Sequence, residues 1–146
     1  MNNKIKSLLI DSVQFGSLLI LLLTGSLFSS NLISIIFQIL ALVLIILAVW
    51  KMRRNKFYRV PDVGKQERLI ASGIYRYIRH PMYTSQILFA GTLLANHFSF
   101  FRLSIFVLLF MDFLFKIRYE ENLLEKHFAN YREYKKKSFR LIPFLY

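Results

Sequence analysis

Of the apolar runs in this chain, Leu32–Trp50 constrains the fold most, because it carries no charged residue and is apolar on every side. A helix with no polar face has nothing to offer water, so it belongs in a core or in lipid. About 20 apolar residues cross a bilayer core. Ile5–Phe28 and Phe100–Ile117 approach that length as well. Pro81–Ala95 is short for a crossing and is expected to tilt little or to borrow Asn96, His97 and Phe98. Trp50 stands where an interfacial anchor belongs. Hydrophobic residues make up 55% of the 146 and the mean hydropathy is +0.43, above the usual apolar share of a soluble domain. The expected fold class is all-α: a polytopic membrane protein, one domain over 1–146. It has about four transmembrane helices (5–28, 32–50, 81–97, 100–117) and a cytoplasmic amphipathic C-terminal helix. No small-residue cleavage site follows Leu18–Leu23, so the first run is read as a retained helix.

The net charge of +12 raises nucleic acid as a partner, and basic residues do alternate with aromatics in Tyr75-Arg76-Tyr77-Ile78-Arg79. Their distribution along the chain favours a membrane instead. Lys4 and Lys6 precede the first run, and Gly25–Asn31 carries no charge. Basic residues crowd Lys51–Arg79, only Arg102 lies near the third turn, and a second basic group follows the last run. Cations on alternate sides put both termini in the cytoplasm, at the inner membrane in a bacterium. Nucleic acid is set aside on this ground. With no cysteine there are no disulfides, thiolate metal sites or cysteine nucleophiles. No Cys/His metal set and no Gly-x-Ser-x-Gly elbow is present, so no metal is expected.

The chemistry gathers at Gly73-Ile74-Tyr75-Arg76-Tyr77-Ile78-Arg79-His80-Pro81-Met82-Tyr83, where a basic segment meets an apolar run. Pro81 biases His80 away from the helical region and suits the first position of a helix. The amides of Met82, Tyr83 and Thr84 are then expected to be free for an anion, with Arg79 and His80 beside them. Ile74–Ile78 reads as a short amphipathic helix with Tyr75 and Ile78 on one face. In the last run, Asp112, Lys116 and Glu120 recur at helical spacing and share a face. Asp112 either pairs with Lys116 or serves function, since a charge inside a span is costly. Asp11 and Gln14 are read as a helix–helix hydrogen bond or as a wall of an acceptor pocket. Glu120–Phe128 continues as an amphipathic helix ending near Tyr134–Lys137, after which Leu141–Phe144 folds back on the surface. Asn31 or Ser30 is expected to cap the second helix.

Gly-x-Tyr-Arg-x-x-Arg-His-Pro-x-Tyr, followed by Glu120-Glu121, Tyr131-x-x-Tyr134 and Pro143, resembles the isoprenylcysteine carboxyl methyltransferase and phospholipid methyltransferase superfamily. The likeness runs from about Arg68 to Pro143; Ala129 stands where the family usually has glycine. It implies an integral membrane enzyme that uses S-adenosyl-L-methionine, with cofactor motifs over 67–83 and 116–134. By the same resemblance Tyr75, His80, Pro81, Met82, Tyr83 and Glu120 fall on cofactor-contacting positions, and Glu67, Arg68, Leu69 and Ile70 on a stretch that helps hold it. Arg79 and the start at Pro81 would receive the donor's carboxylate, and Glu120 its ammonium group, with Glu121 as the neighbouring choice. Lys116 falls on the acceptor-contacting position, with Arg118 as the alternative. A carboxylate acceptor needs only a cation to orient it; an amine needs a base, for which Asp112, Glu120 and Glu121 are candidates. The acceptor is expected to be lipid-like or lipidated. Two other classes stay open: an NADPH-dependent membrane reductase of related fold, and a non-catalytic membrane or lipid-binding subunit.

Overall fold

The structure is a computed structural model that describes residues 3–27, 31–54 and 69–142. Phe28 and Ser30, Glu67 and Arg68, and Pro143 lie outside the described residues. What is described is helical: α1 (Asn3–Leu23), α2 (Leu32–Arg54), a single 3₁₀ turn (Gly73–Arg76), α3 (Pro81–Asn96), α4 (Phe100–His127) and α5 (Tyr131–Lys137). Among the described residues the nearest thing to a strand is one parallel bridge between Ile78 and Phe139.

The helix boundaries follow local chemistry. Asn31 caps α2: its side chain accepts the Ile33 amide at 3.0 Å and its carbonyl the Ile35 amide at 3.1 Å. One helix among the described residues is long and apolar enough to cross a membrane, α2 over Leu32–Arg53. Among the described side chains α1 contributes the shorter apolar stretch Asp11–Leu23, α3 has 16 residues, and α4 carries Arg102, Asp112 and Lys116 within its apolar run.

Two expectations about the C-terminal half are corrected. Ile74–Ile78 is not an amphipathic α-helix but the 3₁₀ turn followed by the bridge, although Tyr75 and Ile78 do share the buried side. The turn starts from Gly73 at φ +66°, a left-handed conformation that favours glycine. The helix through Glu120 also does not run on to Lys137. It stops at His127, and α5 starts afresh after Asn130. Asn130 is the cap residue of α5 through its backbone, its carbonyl accepting the Tyr134 amide at 3.2 Å, with no side-chain cap. The break swings Tyr131 inward to 1% exposure.

The chain divides into two compact units. The first, Met1–Ala41 with Gln86–Lys116, packs Leu21, Ala90, Leu93, Leu109 and Phe113 in its core. Buried Arg102 joins its helix ends: the guanidinium donates to the Leu21 carbonyl at 3.0 Å, Thr24 Oγ1 at 2.6 Å and the Leu93 carbonyl at 2.5 Å. Those carbonyls belong to the last turns of α1 and α3, which have no partner within their own helices. Gly25 is required by this approach, since a Cβ there would lie 2.5 Å from the guanidinium. An apolar groove of about 400 Å³ also opens in this unit, lined by Phe37, Ile87, Leu88, Gly91 and Phe106 among others. The second unit, Leu42–Ser85 with Ile117–Tyr146, buries Ala48, Tyr75, Ile78, Ile117, Tyr131 and Leu141.

Candidate active site

Pro81 opens α3 as expected, and the consequence for the amides differs from expectation. His80 is the cap residue, so its carbonyl takes the amides of both Tyr83 and Thr84 at 3.1 Å. With Pro81 first in the helix, the fourth amide already finds an intrahelical partner. The anion site expected on Met82, Tyr83 and Thr84 is therefore not formed by three open amides.

A ladder holds this corner in place. The Arg79 amide donates to the Phe139 carbonyl (2.8 Å), the His80 amide to Arg140 (3.0 Å) and the Phe139 amide to Tyr77 (2.9 Å). Thr84 Oγ1 donates to the Leu141 carbonyl at 2.8 Å. Arg79 reaches the same segment through the carbonyls of Lys135 and Ser138.

Against the corner stand two adjacent carboxylates from α4. Tyr83 donates its phenolic hydrogen to Glu120 Oε1 at 2.6 Å, and the His80 ring stacks on the Tyr83 ring with centroids 5.6 Å apart. His80 Nδ1 lies 3.5 Å from Glu120 Oε2, and its Nε2 lies 3.6 Å from Glu121 Oε1. Successive helical residues point about 100° apart, and that separates the two acids. Glu121 is 2% exposed and ringed by Arg79 at 2.7 Å, Arg140 at 3.1 Å and Lys135 at 3.8 Å. Glu120 is 27% exposed, which leaves it accessible to a small molecule.

Charge state follows from these neighbours. Burial alone would raise the Glu121 carboxyl, but the His80 imidazole 3.6 Å away, the Arg79 hydrogen bond and the charges of Arg79 and Arg140 outweigh it and hold the group at about 2. Burial alone would lower His80; the nearby carboxylates of Glu120 and Glu121 win, and it titrates above its ordinary value. Among the described residues His80 Nε2 and the Tyr131 hydroxyl are buried without a hydrogen-bond partner. Burial raises the phenols of Tyr75 and Tyr131, and brings Tyr134 to about 12, so all three are neutral donors at neutral pH.

The structure thus brings Arg79, His80, Pro81, Tyr83, Glu120 and Glu121 together. Tyr75 is buried in the same unit, where its carbonyl accepts the Tyr134 hydroxyl. Leu69, Ile70 and Met82 are half-buried, and Arg118 is exposed. Lys116 is buried in the first unit: its Nζ bonds Asp11 Oδ1 at 2.9 Å and Gln14 Oε1, with Asp112 Oδ2 at 3.9 Å. Asp11 and Gln14 therefore do make helix–helix hydrogen bonds, and Asp112 does pair with Lys116. Sequence reasoning missed the parts played by Ser138 and Arg140. Their signal is faint, a basic run whose partners lie about 60 residues back in the chain, as Arg79 does from Ser138.

Residues 29–131 match the phospholipid methyltransferase family, a span that holds α2, α3, α4 and both acidic and His-Pro motifs. The chain belongs to the phospholipid methyltransferase family. Membership places it in the superfamily it resembles by motif, whose proteins are membrane-integral, and implies a methyltransferase acting on lipid-like substrates. No curated protein and no solved structure matches the chain. Among the described residues no group of three or more His, Asp or Glu side chains could hold a metal ion.

Proposed function

We propose that this phospholipid methyltransferase-family protein moves a methyl group from S-adenosyl-L-methionine to a lipid amine at a membrane surface. The observation that carries the reading is the Tyr83–Glu120 hydrogen bond with His80 stacked on Tyr83: an accessible carboxylate, an aromatic face and a buried imidazole at one corner. These residues fit the donor. Glu120 takes its ammonium group, Tyr83 and Tyr75 pack its adenosine or face its cation, and His80 receives its carboxylate. When bound, the donor supplies an activated methyl on a sulfonium, so the chain needs no nucleophile of its own. Its tasks are to bind, orient and exclude water. Arg79 and Glu121 act as positioning residues, since their ion pair ties α4 to the His80-Pro81 corner.

Lys116 and its surroundings are assigned to the acceptor. A carboxylate acceptor would need a free cation, whereas Lys116 is bound by Asp11 and faces Asp112. Two acids to one base among the described residues favours a cationic amine. Arg118, exposed on α4, is the alternative contact for a headgroup. The apolar groove beside Gly91 suits a hydrocarbon tail. The topology that goes with this reading has four crossings and cytoplasmic termini, the membrane being the inner one where the source is bacterial.

Transfer of labelled methyl from S-adenosylmethionine into extracted native lipids tests the reading. Label in lipid amines is expected. Label that alkali releases as methanol marks a carboxylate ester and overturns the amine; no label in any lipid, with donor bound, overturns lipid methylation.

A further inference from the structure

The polar cluster in the first unit does more than neutralise Lys116. Asp11 and Gln14 of α1, Gln86 of α3 and Asp112 and Lys116 of α4 meet among otherwise apolar helices. Gln14 links the helices, giving its carbonyl oxygen to Lys116 and donating through Nε2 to Gln86 at 2.6 Å. Among the described residues the formal charge is two acids against one base, with the Asp11 side chain 32% exposed and that of Asp112 8%. A buried excess carboxylate is costly unless something cationic completes it. The excess falls on Asp112. Its side chain is 8% exposed, its Oδ2 has no hydrogen-bond partner among the described residues, and the nearest cation, Lys116 Nζ, is 3.9 Å away and already held by Asp11 at 2.9 Å.

We propose that Asp112 is the base that takes a proton from the acceptor's ammonium group, an inference that rests on the lipid-amine reading. An ammonium nitrogen has no lone pair and cannot accept a methyl group. The acceptor N–H bond breaks, its electron pair stays on nitrogen, and the proton forms an O–H bond at Asp112 Oδ2. The result is a neutral amine beside a neutral carboxylic acid. Asp11, facing the same Lys116, keeps that ammonium balanced once Asp112 is protonated. Gln14 fixes Lys116 so that it does not collapse onto Asp112. Among the described residues the titratable groups facing Asp112 are Lys116 on its own helix and Asp11 on α1.

The test uses the full-length protein in detergent and two acceptors with one tail: dodecylamine, cationic at pH 7, and O-dodecylhydroxylamine, whose nitrogen is neutral there. Asp112→Asn is expected to lose about 100-fold or more of methyl transfer to dodecylamine, the scale of general-base catalysis, and to keep transfer to the hydroxylamine within a few-fold. Calorimetric binding without donor gives a readout apart from activity: dodecylamine affinity falls at least tenfold in the variant and hydroxylamine affinity does not. Asp11→Asn, which leaves Asp112 in place, loses less. Equal losses on both acceptors, or on neither, overturn the base. A wild-type protein that binds donor yet methylates no amine overturns the amine reading and the base with it.

Discussion

Glu120 and Glu121 sit side by side in sequence, yet one is open to solvent and the other is among the most buried side chains in the protein. Nothing in a Glu-Glu pair tells which faces inward; the roughly 100° helical step and the partners of Arg79 decide it. Arg79 was legible as a cation beside Pro81, but its commitment to Glu121 and Ser138 rests on contacts 42 and 59 residues away. Removing one member of a buried ion pair strands the other. Glu121→Gln is therefore expected to lose about 3–5 kcal/mol of stability, read from unfolding in detergent. Its pH dependence has a fixed sign. The folded carboxyl at about 2 lies below its ordinary 4.5, so its contribution is present above pH 4.5 and fades as pH falls toward 2. The stability gap between wild type and Glu121→Gln should narrow over that window; a constant gap contradicts the ion cluster. His80 has the opposite sign, contributing below its ordinary 6.5 and fading as pH rises through its higher folded value. Tyr83→Phe removes one hydrogen bond to a carboxylate, and a loss of about 1.5–3 kcal/mol in donor affinity follows if Glu120 is organised by it.

At the scale of elements, the start of α3 was readable because proline's chemistry is local, and the cap of α2 because asparagine's is. The break between α4 and α5 was not, since Ala129-Asn130 is only a mild interruption and burial of Tyr131 tips the balance. The ladder between Tyr77–His80 and Phe139–Arg140 left no trace in the periodicity, because it pairs two irregular segments. Truncation after Lys137 should remove that ladder along with the Ser138 and Arg140 contacts, and donor binding with them; calorimetry reads the outcome. Arg102 shows the same limit. In the sequence it is a lone cation near a turn; in the fold it is 2% exposed and closes the ends of α1 and α3. Arg102→Met should lose about 2–4 kcal/mol, from charged hydrogen bonds and carbonyls left bare. Gly25→Ala should destabilise through the same guanidinium.

For the whole molecule, hydropathy made the helical class plain and the charge pattern located the basic segments. The number of crossings was less plain. Only α2 meets the length and apolarity of a span among the described residues, because charged residues interrupt α4 and α3 is short. The absence of cysteine makes topology directly measurable. Single cysteines at the exposed positions Arg53 and Asn130, both in the second unit, should react with an impermeant maleimide from the cytoplasmic side in inverted vesicles and stay unlabelled in right-side-out ones. The central claim is that the His80-Pro81 corner and Glu120 together hold S-adenosylmethionine, and calorimetry of donor or demethylated product binding to the detergent-solubilised protein tests it most directly. Saturable binding by the wild type, abolished in Glu120→Ala and retained in Lys116→Ala, is the expected result; no binding at millimolar donor, or undiminished binding by Glu120→Ala, would contradict it.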